Sequence, residues 1–165
     1  MALNEDLEQI ARQERELVLP RLDMQAAWEL GVRLRTMAEE RGLKLVVDVR
    51  RFGQPLFYAA LEGTTPSNAE WVRRKSNVVA RFHYSSYAVG LGLKAKNTTL
   101  QEKHGLPAAD YAADGGSFPL HVANAGVVGS VTVSGLPQRD DHELVVEALC
   151  ATLGREYAEL KLAAE

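Results

Sequence analysis

Two pairs of apolar runs, each split by a short glycine-bearing break, constrain this chain more than any other feature. Residues 43–49 and 56–61 flank Gly53-Gln54-Pro55, and residues 118–123 and 127–134 flank Asn124-Ala125-Gly126. Strands joined by so short a break pair as antiparallel hairpins, since a parallel crossover needs a dozen residues or more. A doubly wound parallel sheet, in which each strand is followed by a helix, is therefore excluded.

Helical patterns fill the rest. Residues 4–18 carry Leu7, Ile10 and Leu17 at helical spacing, and Pro20 stops them. Asp23 is placed to cap a second helix, in which Ala27, Leu30, Leu34 and Met37 recur every three or four residues up to Gly42. Gly31 in its middle costs about 1 kcal/mol relative to alanine, which points to close packing there. Pro66 suits a first helical turn, and Ser67 with Glu70 fits a capping box for a helix reaching Phe82. Residues 85–93 and 98–104 read as short helices. Asp140 with Glu143 reads as the cap of a last helix over 141–162. The fold expected is α+β, an antiparallel sheet of four to five strands flanked by helices. The 165 residues read as a single domain, with 1–22 as an N-terminal helical extension.

Composition narrows the function. The 46% hydrophobic and 25% charged content is that of an ordinary globular chain. A net charge of -3 speaks against a nucleic-acid partner. No run approaches the roughly 20 apolar residues that span a bilayer, and no membrane role is expected. The single cysteine, Cys150, cannot form an intrachain disulfide; with no signal-peptide core near the start, the expectation is cytoplasmic.

The segment Asp114-Gly115-Gly116-Ser117-Phe118-Pro119-Leu120, the segment 129–136 and the helix opening Asp140-Asp141-His142 together resemble the haem-degrading-domain (GlcG/HbpS-like) family, in its uncharacterised branch. Arg74-Lys75-Ser76-Asn77 and Ser85-Ser86 fit the same branch. The resemblance covers roughly residues 23–157. It implies a profilin-like arrangement with a fifth strand, and a homo-oligomer. It implies haem as a cofactor, and Asp114 where the branch carries histidine removes one candidate iron ligand.

Read from the residues, the candidate binding groups lie on a basic helix and a glycine turn. Arg73, Asn77, Arg81 and Ser85 lie four residues apart and form one helical stripe, which suits a carboxylate or phosphate. Gly115, Gly116 and Ser117 form a turn whose N–H groups suit the same anion. The plain alternatives are a solvated face and a tight turn. Of the four histidines, His83 at the end of the basic helix is the candidate haem ligand; their spacing makes no metal site. Trp71, Val78 and Phe82 point to the core, Cys150 sits in an apolar run, and no catalytic group stands out. Three readings stay open: an oligomeric accessory protein binding a small anion, a haem-binding or haem-degrading enzyme, and a structural or interaction protein. Trp28, Val32, Val145 and Val146 are the apolar positions expected to serve assembly.

Overall fold

The computed structural model describes residues 2–165. Seven helices and five strands follow one another as α1 (Ala2–Glu16), β1 (Val18–Leu19), α2 (Met24–Glu40), β2 (Val46–Arg51), β3 (Gln54–Ala60), α3 (Pro66–Phe82), α4 (Ser86–Ala95), α5 (Leu100–His104), β4 (Ser117–Val122), β5 (Gly126–Ser134), α6 (Gln138–Leu153) and α7 (Tyr157–Leu160). The sheet order is β1-β4-β5-β2-β3. Both expected hairpins form, and β2 joins β5 antiparallel to link them. The fifth strand is β1, two residues long, which pairs parallel with β4, so the sheet is mixed.

Side chains alternate across a strand, and here the two faces differ in kind. Val47, Val49, Phe57, Phe118, Leu120, Val131 and Val133 form the apolar face and bury against α2 and α6. Gly31 of α2 lies so close to the Phe57 ring that a Cβ there would sit 2.3 Å from it. Alternate positions, Asp48, Ser117, Ser130, Thr132 and Ser134, form a buried polar face. Helix α3 packs across β4 and β5 on that second side and brings Lys75 and Ser76 into it. The Ser117 and Thr132 hydroxyls bond across the strands at 2.8 Å. Asp48 takes two bonds from Arg50, at 2.7 and 2.9 Å.

Several boundaries differ from the sequence patterns. Helix α3 is capped by Thr65 and Asn68, two residues ahead of the Ser67–Glu70 pair. The last helix is two: Gly154 adopts φ +67, closes α6, and the chain restarts at α7. Helix α6 begins at Gln138 without a side-chain cap; Asp141 instead reaches back to the N–H groups of Leu136 (3.0 Å) and Gly135 (3.4 Å). Val145 and Val146 lie wholly in the core and present nothing to a partner, whereas Trp28 and Val32 remain exposed.

Helix α1 is held on by Ile10, which buries with Tyr87, Leu91 and Leu162, and by polar contacts. Arg139 binds Asp6 through two nitrogens, and Gln13, fully buried, gives its amide N–H to the Leu160 carbonyl at 2.8 Å. Its Oε1 is then the acceptor facing His142 Nε2 at 2.8 Å, which puts the imidazole proton on Nε2. Burial between Tyr87 and Phe118 pushes His142 down to about 3, so the ring is neutral at physiological pH.

Candidate functional site

The basic stripe and the glycine turn do not meet. Arg73 pairs with Glu70 and Asp110, and Asn77 donates to the Asp110 carbonyl at 2.8 Å; together they anchor the segment 107–112 against α3. Arg81 is exposed and makes no ion pair among the described residues. Ser85 is buried, caps α4 through the Ala88 N–H, and donates to Glu14 at 3.1 Å. His83 ends α3 in the left-handed region at φ +62 and stacks on Phe52 of the β2–β3 turn.

Of Gly115, Gly116 and Ser117, it is Gly116 that lies beside another residue of the helix, Lys75. Ser117 N–H donates to Ser86 Oγ at 3.0 Å and Gly115 N–H to Gln138 Oε1 at 2.9 Å, so these amides are already taken by protein. Gly116 has φ +139, and a Cβ there would stand 2.4 Å from the Val133 oxygen and 2.8 Å from Lys75 Nζ. Only glycine lets the turn pass over that ammonium group.

Lys75 is 4% exposed and Asp141 1%, and their ion pair spans 3.1 Å. Burial raises the Asp141 carboxyl to about 6, against the opposing pull of Lys75 and the two backbone N–H groups. It is still mostly ionised at neutral pH. The pair forms the floor of a cleft of about 330 Å³, walled by Asn68, Trp71, Asp114, Ser134, Leu136 and Gln138. A buried ion pair costs desolvation that an apolar pair would not, so its place at a cleft floor points to use.

The second cleft, about 640 Å³, opens on the other side of Asp114 between α3, α4 and α5. Arg74 lies over the Trp71 ring, 4.2 Å from its centroid, with a single long bond to the Ala108 carbonyl and no carboxylate partner among the described residues. Lys94 lines the same cleft and is likewise unpaired there; Leu93, Leu100, Leu106 and Tyr111 supply its apolar wall. The segment 107–112, fixed by Arg73 and Asn77, is part of that wall. Two cations against the one carboxylate of Asp114 leave it positive in a chain whose net charge is -3.

Sequence reasoning places Arg74 only near the basic stripe and misses Lys75, Lys94 and Asp141. One signal was present: Lys75 falls four residues after Trp71 and three before Val78, inside the stripe expected to face the core. A charge at a core-facing position needs a buried partner.

A family profile described as haem degrading protein HbpS-like matches residues 22–150. The chain is similar to the UPF0303 protein of Acidobacterium capsulatum, 62% identical over 162 residues that cover 98% of each. It is similar to the crystal structure of the Ybr137w protein with a TM-score of 0.83 and 28% identity, over 90% of this chain and 88% of that one. The haem complex of PduOC matches with a TM-score of 0.68 over 79% of this chain and 94% of that one; at 14% identity it shows the shared fold alone.

The buried pair makes a direct prediction. Lys75→Met leaves the Asp141 charge unpartnered and should cost about 3–5 kcal/mol in denaturant unfolding at pH 7, whereas Lys75→Met with Asp141→Asn should recover most of that loss. Losses that add, with the double variant destabilised by the sum of Lys75→Met and Asp141→Asn measured singly, would show that the two groups are not coupled.

Proposed function

Because the chain belongs to the HbpS-like haem degrading protein family, we propose that it is a ligand-binding member whose larger cleft takes a small anionic molecule. The observation that carries this reading is Arg74: a guanidinium fixed on Trp71, without a carboxylate partner, in a cleft it shares with Lys94. A carboxylate or phosphate there accepts charge-assisted hydrogen bonds from both, and guanidinium presents two parallel N–H groups to it. The wall of Leu93, Leu100 and Leu106 covers whatever apolar body the anion carries. Arg73 and Asn77 serve the site by holding its wall in place.

Haem is the group implied by the family, and one place has residues that fit it. A cleft of about 520 Å³ between α1 and α4 is lined by Leu7, Ala11, Ala88 and Val89, with His83 and His121 also at its edge. Neither imidazole makes a side-chain hydrogen bond among the described residues. Apolar walls and an imidazole donor are what haem iron requires. His83 and His121 would hold the iron and Arg15 a propionate, and the haem would supply redox chemistry there. Asp114 lines the anion clefts and not this one.

Self-association belongs to the same reading. Met24 (55% exposed), Trp28 (57%) and Val32 (37%) recur every four residues along the outer face of α2. Glu29 and Arg33 border that stripe with opposite charge, as self-pairing about a twofold axis requires.

Three measurements test these statements. Phosphate should raise the melting temperature more than chloride at matched ionic strength, by about 2–4 °C per kcal/mol of binding energy. Arg74→Ala should abolish that excess and Arg81→Ala should keep it; the same response in wild type and Arg74→Ala would leave only screening. Titration with haemin should yield a saturable Soret band that His83→Ala weakens, and a featureless titration removes the haem reading. Light scattering at micromolar concentration should return at least a dimer that Trp28→Glu dissociates, against a monomer of 18.1 kDa.

A further inference from the structure

The larger and smaller clefts share Asp114, which is half-buried and lines both. A molecule anchored at Arg74 and Lys94 therefore extends, past Asp114, towards the floor formed by Lys75 and Asp141. The two ends differ in what they accept. The Arg74 end is cationic. The smaller cleft is lined by the one cation of Lys75 and the two carboxylates of Asp141 and Asp114, so the charge sums to a negative value and a second anionic group would be repelled.

What the smaller cleft does offer is donors and acceptors side by side. Lys75 carries three N–H groups and uses two, on Asp141 at 3.1 Å and on the Val133 carbonyl at 3.4 Å. The Gln138 side-chain amide N–H makes no hydrogen bond among the described residues, its oxygen being engaged by Gly115. Asp114 adds a carboxylate at the junction, and Trp71 supplies a carbon wall. A neutral group that both donates and accepts satisfies such a set, and a hydroxyl is the simplest. It accepts from Lys75 or Gln138 while donating to Asp114.

We propose that the two clefts form one site, and that its ligand is a small polyhydroxylated anion of the sugar-phosphate type, with the phosphate at Arg74 and Lys94 and the hydroxyls at Lys75, Gln138 and Asp114. This rests on the anion reading of Arg74. It adds to that reading a source of selectivity, since a hydroxyl gains charge-assisted bonds to the buried Lys75 ammonium group and the half-buried Asp114 carboxylate that an analogue without it does not.

The test is calorimetric titration of the full chain with glucose 6-phosphate, hexyl phosphate and inorganic phosphate. The wild type should bind glucose 6-phosphate at least about tenfold more tightly than hexyl phosphate, which has the same charge and chain length without the hydroxyls. The variant with Lys75→Met and Asp141→Asn, checked for cooperative melting, should narrow that preference to about twofold. Arg74→Ala should weaken both esters together. Wild type binding hexyl phosphate as tightly as glucose 6-phosphate would overturn the inference while leaving the anion reading intact. A preference that survives in the double variant would overturn it as well. Failure of all three phosphates to bind would sink the anion reading and this inference with it.

Discussion

The contact between Lys75 and Asp141 organises the rest of the molecule. It joins the middle of α3 to the first turn of α6, and through the Gly135 and Leu136 N–H groups it fixes the end of β5. Lys75 also reaches the Val133 carbonyl, so one ammonium group ties a helix to a strand and to the next helix. The chain accommodates this pair with a glycine at 116, where the turn into β4 passes over the ammonium group with no room for a side chain. An isolated charge at that depth would cost several kcal/mol, so neither partner is tolerable without the other.

From that pair the site follows. Helix α3 lies on a polar sheet face because Lys75, Ser76, Ser117, Thr132 and Ser134 occupy the positions that would otherwise be apolar. With Lys75 turned inward, the next-door Arg74 is turned out onto Trp71 and faces the large cleft. Arg73, one residue further back, lies against the segment 107–112 and closes it with Glu70 and Asp110. Three consecutive basic residues thus have three fates: a tether, an unpaired guanidinium at a cleft wall, and a buried floor.

Much of this architecture was legible in the sequence, and the reasons are local. The hairpins declared themselves through apolar runs and glycine breaks, and Gly31 marked close packing that Phe57 of β3 supplies. Strand β1 was not legible, because two residues carry no periodicity and their pairing with His121 and Val122 is set by the folded sheet. The break at Gly154 was readable from its type but was overridden by the apolar spacing on either side. At the site, helical spacing placed Arg73, Asn77 and Arg81 together on one face, yet could not say that a loop carrying Asp110 covers it. Sequence spacing describes one helix; which charge is neutralised is decided by another segment. Lys75 and Asp141, 66 residues apart, belong to that same class of long-range facts.

In the proposed anion site it is Arg74, and not its helical neighbours, that presents the free guanidinium. Side-chain Nε–Hε resonances of the arginines, followed by NMR during titration with phosphate at constant ionic strength, test it most directly. A saturable shift is expected at Arg74, with Arg73 held by its carboxylates and unmoved. A saturable shift at Arg73 or Arg81 with Arg74 stationary, or no saturable shift at any arginine, would contradict it.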